Sequence, residues 1–60
     1  MSRHTVSVWG KEYQVSVDQL SKTVYRAVGD YEGERIETKD RTESTALKRW
    51  CEAARYRGNL

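Results

Sequence analysis

Val24-Tyr-Arg-Ala-Val-Gly-Asp-Tyr-Glu-Gly-Glu-Arg-Ile-Glu-Thr-Lys39, followed by the run from Thr42 to Arg57, is the stretch on which the fold turns. An X-Gly pair suits a tight two-residue hairpin turn, because glycine accepts the positive φ that such a turn needs. With Glu32-Gly33 as the turn, Tyr31 faces Glu34, Gly29 faces Ile36, Ala27 faces Thr38 and Tyr25 faces Asp40. Side chains alternate along a strand, so this register divides the hairpin into two faces. Tyr25, Ala27, Gly29, Tyr31, Ile36 and Thr38 form the core face. Val24, Arg26, Val28, Asp30, Arg35, Glu37 and Lys39 form the other. On that second face Asp30 opposite Arg35 is a favourable cross-strand pair, and Arg26 opposite Lys39 is an unfavourable one.

The helix follows from its own periodicity. Ala46, Leu47, Trp50, Cys51 and Ala54 make one apolar stripe. Thr42 fits an N-cap, Glu43 the first turn, and Gly58 a C-terminal stop. The small residues Ala27 and Gly29 allow close approach, which places Trp50 over them as a core side chain. Upstream, His4 to Val17 reads as another hairpin. A Gly10-Lys11 turn with glycine first pairs Trp9 with Glu12, Val8 with Tyr13, Val6 with Val15 and His4 with Val17. The valines and Tyr13 then share one face, while Thr5, Ser7, Trp9, Glu12, Gln14 and Ser16 take the other. Met1 to Arg3 reads as a loose tail, and Asp18 to Lys22 as a connection with Leu20 tucked under the sheet.

The elements predicted are hairpins over residues 4–9 with 12–17 and 23–31 with 34–40, then a helix over 43–57. Together they make a single ββββα domain of the α+β class: an antiparallel four-stranded meander with one C-terminal helix on one face.

Composition narrows the chemistry. A chain of 60 residues buries only about 60% of its unfolded surface, so its stability is marginal and a second copy would bury more. No apolar run approaches the length of a transmembrane span or a signal-peptide core. The lone Cys51 rules out an intramolecular disulfide and a paired-cysteine metal site, and a reducing cytoplasm is the simplest setting. Net charge is only +2, too weak to imply an anionic partner. Its distribution says more: residues 30–45 carry three basic and six acidic groups, and residues 46–60 carry four basic and one acidic. The second hairpin is locally acidic and the helix basic.

No catalytic, cofactor or metal constellation emerges. His4, the only histidine, has no acid or nucleophile at a suggestive spacing, and a general base needs an oriented partner. Cys51 falls on the apolar stripe and reads as a small hydrophobe. The pairs Glu32 with Glu34 and Glu37 with Asp40 lack an apolar pocket to split their pKa values, so they read as a solvated acidic edge. Neither Gly29 nor Gly33 belongs to a phosphate-cradling loop.

Two binding surfaces remain. Trp9, Val24, Arg26, Val28 and Arg35 form the first candidate, on the sheet face away from the helix. Aromatic and aliphatic groups with interleaved arginine mark the centre of protein interfaces, with another protein or a second copy as partner. The second candidate is nucleic-acid contact through Lys48, Arg49, Arg55 and Arg57 on the helix. Against it, phosphate would meet repulsion from the acidic hairpin. Lys48 with Glu52 is also an ordinary i,i+4 pair, and arginine near a helix C-terminus is what the dipole favours.

Residues 24–56, a Lys/Arg-bearing hairpin followed by a Thr-capped helix, are loosely similar to the arm-binding domains of tyrosine recombinases. That resemblance implies DNA binding by a basic sheet. The chain departs from it at Asp30, Glu32, Glu34, Glu37 and Asp40. The run Gly29-Asp-Tyr-Glu-Gly-Glu-Arg-Ile-Glu37, with Arg41-Thr42, Ala46, Trp50 and Glu52-Ala-Ala-Arg-Tyr-Arg-Gly-Asn59, resembles a group of short bacterial proteins. It implies a compact domain and carries no assigned activity.

Overall fold

The computed structural model describes residues 2–58. Its elements are β1 (Ser2–Val8), β2 (Lys11–Ser21), β3 (Val24–Tyr31), β4 (Glu34–Asp40) and α1 (Glu43–Gly58). The strands form one antiparallel sheet in the order β1-β2-β3-β4, with α1 packed on one side: the ββββα meander.

The second hairpin has the register read from its turn, from Tyr31 with Glu34 through Gly29 with Ile36 to Tyr25 with Asp40. Glu32 and Gly33 have φ of 50° and 84°. Positive φ at both central positions is the type I′ turn, whose twist matches that of the strands it joins.

The first hairpin differs. Its turn is Trp9-Gly10, with φ of 53° and 78°, so it is also type I′. Val8 pairs with Lys11, Val6 with Tyr13 and His4 with Val15. Each partner lies two residues from the one that a Gly10-Lys11 turn would give. A two-residue shift preserves side-chain parity, so the valines and Tyr13 keep their face. Two residues change role: Trp9 goes from a strand residue on the far face to an exposed turn residue, and Lys11 from the turn to the start of β2.

Three further boundaries move. Ser2 and Arg3 belong to β1 instead of a loose tail, while Met1 lies outside the described residues. β2 continues to Ser21, so the expected Asp18–Lys22 connection is mostly strand. Asp18 pairs with Arg26 and Gln19 with Tyr25, after which the register shifts before Ser21 pairs with Val24. Leu20 sits at that irregularity and is exposed. It does not tuck under the sheet: it is the residue left without a cross-strand partner where the register shifts between Gln19 and Ser21. Finally, α1 runs through Gly58, the residue expected to stop it, and Asn59 and Leu60 lie outside the described residues.

The core collects one face of every strand. Val8, Val15, Val17, Ala27, Tyr31 and Ile36 are buried against Ala46, Trp50 and Ala54. Trp50 lies against Gly29 as its spacing predicted: a Cβ placed on Gly29 would fall 3.0 Å from Trp50 Cζ2 and 2.9 Å from the Gln14 carbonyl oxygen. The buried indole N–H of Trp50 donates to the Ile36 carbonyl at 3.1 Å, so no polar atom of that side chain is stranded. Tyr13, Tyr31 and Trp50 form an aromatic trio with centroids 4.9 to 6.5 Å apart, Tyr13 tilted against the other two and Tyr31 edge-to-face with Trp50, linking both hairpins to the helix.

The entry to α1 is fixed locally. The Thr45 N–H donates to Thr42 Oγ1 at 3.2 Å and the Thr42 N–H to Thr45 Oγ1 at 3.3 Å. This is the reciprocal logic of a capping box, with threonine where glutamate is usual. Thr38 Oγ1 then donates to the Ala46 carbonyl at 2.9 Å and pins the first helical turn to β4.

Candidate protein interface on the open sheet face

With α1 on one side, the opposite side of the sheet is uncovered. Alternation places Val24, Arg26 and Val28 of β3 there, with Arg35 beside them on β4. These four sequence-predicted residues therefore share one face. Val24, Arg26 and Val28 are half-buried and Arg35 is exposed. Trp9 does not join them: it is 61% exposed at the β1–β2 turn.

Arg26 organises this face. Its Nη2 lies 3.3 Å from Asp18 Oδ2, and its Nη1 lies 3.9 Å from Glu37 Oε2. A carboxylate on each neighbouring strand thus holds the guanidinium, which offsets the like charge of Lys39 opposite. Arg26 Nε is buried and has no hydrogen-bond partner, whereas buried polar groups are ordinarily paired. Asp18 was missed as a partner because its segment reads as a loop, and Glu37 because it pairs with Val28 and reaches Arg26 diagonally.

Beside this cluster lies a shallow depression lined by Arg3, Gln14, Ser16, Val28, Asp30 and Arg35. Asp30 and Arg35 are cross-strand neighbours as predicted, but no ion pair forms between them. Both are solvated, and an exposed pair gains little by closing. Arg3, Gln14 and Ser16 enter the candidate surface only through the observed β1–β2–β3 pairing.

The helix surface is different in kind. Of the four basic residues considered for nucleic acid, Arg49 is bound to Asp40 at 2.5 Å and Arg57 is paired with Glu34. Hydrogen bonds from Arg49 and then from the Arg41 N–H hold the Asp40 carboxyl below its usual range. Lys48 and Arg55 stay exposed, and among the described residues neither forms an ion pair, with Glu52 or with any other acid.

The remaining reactive side chains are occupied structurally. Tyr13 donates to Glu32 Oε1 at 2.6 Å. That bond pushes the Tyr13 phenol up to about 12 and, with Lys11 nearby, draws the Glu32 carboxyl down. Burial pushes the half-buried Cys51 thiol up, away from the thiolate form. His4 Nε2 lies 3.2 Å from Glu43 Oε2 without hydrogen-bond alignment, a proximity that sequence spacing did not reveal. Among the described residues no group of acidic, histidine or cysteine side chains is arranged to hold a metal ion. No helix among them is long and apolar enough to cross a membrane.

Compared with known protein families, curated proteins and solved structures, the chain matches none.

Proposed function

We propose that this chain is a non-catalytic binding module that engages protein through the open face of its sheet. One observation carries the reading: Arg26, half-buried between Val24 and Val28, with Asp18 and Glu37 fixing its guanidinium and Nε left without a partner. A pre-positioned arginine among aliphatic groups on an uncovered face is the composition of an interface centre. Both charge signs occur around it, which favours a mixed-charge protein surface over a polyanion. The lone Cys51, a free thiol with no second cysteine in the chain to pair with, fits a reducing cytoplasm.

The test is co-purification from the native host with the tagged wild-type chain and two variants. Val28→Asp is expected to lose the partner, and Lys48→Glu with Arg55→Glu to retain it. A partner that stays with Val28→Asp sinks the reading. Salt-dependent binding to duplex or single-stranded DNA, abolished by the Lys48 and Arg55 changes, would replace it with the nucleic-acid reading.

A further inference from the structure

The sheet has two edges, and they are unequally defended. On β4, Glu34, Arg35, Glu37, Lys39 and Asp40 put charge along the strand. The helix also fastens to it through Thr38 and Trp50. Charges and covering elements are the ordinary means of stopping an edge from recruiting another strand. On β1, Arg3 carries the one permanent charge and His4 lies beside Glu43 of the helix, but the segment His4-Thr-Val-Ser-Val8 contains no Asp, Glu, Lys, Arg, Gly or Pro. Its pairing with β2 is unbroken from Ser2 to Val8, so no bulge twists the edge away.

The outward groups can be named. Val8 and Lys11 close a two-residue turn, and such a closing pair exchanges both backbone hydrogen bonds. By alternation Val6 and His4 also direct their backbone groups to β2. The N–H and C=O of Arg3, Thr5 and Ser7 therefore point away from the sheet. No backbone group outside the sheet ladder bonds to them among the described residues.

We infer that this edge pairs antiparallel with the same edge of a second copy, centred on Thr5. In that register Thr5 faces Thr5 and Arg3 faces Ser7, and every outward group of one copy meets a complementary group of the other. No like charges oppose each other, and threonine pairs across strands are favourable. A shift by two residues in either direction removes Arg3 or Ser7 from the ladder. The symmetry axis lies perpendicular to the sheet, so both helices fall on one side. The two open faces become one continuous surface, doubling the face assigned above to a protein partner. The pairing itself does not depend on that assignment.

Sedimentation of the full chain over a range of concentrations should show a reversible monomer–dimer equilibrium. Thr5→Pro removes an N–H that the monomer leaves unused, and proline is tolerated where an edge N–H faces solvent. It should keep the wild-type circular dichroism and weaken the dimer by roughly ten-fold or more. Thr5→Lys sets like charges opposite each other and should do the same, which decides the matter if the proline variant misfolds. Val28→Asp should leave the dimer intact. A wild-type chain that stays monomeric overturns the inference. So does a dimer that survives the Thr5 changes, and if Val28→Asp then removes it, self-contact runs through the open face instead.

Discussion

The two hairpins use the same turn, an X-Gly pair with both central residues at positive φ, and yet they are fixed by different forces. The second is held by size: Gly29 leaves a gap that Trp50 fills, and Ile36 opposite Gly29 both packs and accepts the indole hydrogen bond. The first has only valines at period two and Tyr13 to orient it. Unequal side chains specify one register. Repeated equal ones specify a face and leave the register to the turn.

The largest expected effect is therefore at Trp50. Trp50→Ala should cost about 3–5 kcal/mol, since it empties the core centre and strips a partner from Ile36. For so short a chain that is enough to unfold most molecules, which urea titration followed by circular dichroism will show. Retention of a cooperative transition near the wild-type midpoint would mean that the second hairpin does not depend on the indole.

Next comes Gly29. A side chain there would press on Trp50 Cζ2 and on the Gln14 carbonyl, and the backbone contact cannot yield easily. Gly29→Val should cost about 1–3 kcal/mol through overpacking. Introducing the same side chain at an exposed strand position of the first hairpin, Thr5→Val, should shift stability by less than about 0.5 kcal/mol. Equal effects at the two sites would erase the distinction between the hairpins.

This contrast also explains what was legible in the sequence. The Glu32-Gly33 turn, the Gly29–Ile36 pair, the apolar stripe of α1 and the placement of Trp50 all rest on residues that differ strongly in size or conformational freedom. Gly10 is ambiguous, because it fits the first position of one hairpin turn and the second of another, and the valines face the core either way. Trp9 was thereby set on the open face when it belongs at the tip. The polar run Asp18-Gln-Leu-Ser-Lys22 carries no strand signal of its own. It is strand because β3 offers it partners, and with that strand came the Asp18 contact to Arg26. Of the candidate interface, Val24, Arg26, Val28 and Arg35 could be found from alternation alone. Asp18 and the depression beside it needed the tertiary pairing.

The turn itself supplies a sharper comparison. Trp9 holds a left-handed conformation that L side chains other than asparagine and aspartate resist, at roughly 1–2 kcal/mol. Trp9→Asn should raise stability by about 1 kcal/mol and shift the melting temperature upward. A fall instead would show that the exposed indole packs against the hairpin and contributes to its register.

The smallest effect concerns the contact that joins the hairpins at their turn ends. Tyr13 donates to Glu32, and the bond raises the phenol to about 12 while lowering the carboxyl. The phenol keeps its proton more firmly in the folded state, so its contribution is complete below the ordinary tyrosine value of 10.0 and is lost as pH rises through about 12. The lowered Glu32 carboxyl works in the opposite sense: its contribution is present above the ordinary value of 4.5 and fades as pH falls through the depressed one. Phenolate absorbance of the wild type minus Tyr13→Phe should show one tyrosine ionising late, and Glu32→Gln should return it toward the ordinary range. Were Tyr13 in the wild type to ionise at the ordinary tyrosine value of 10.0, the hydrogen bond would be too transient to couple the hairpins. Their relative placement would then rest on the β2–β3 ladder and the aromatic trio.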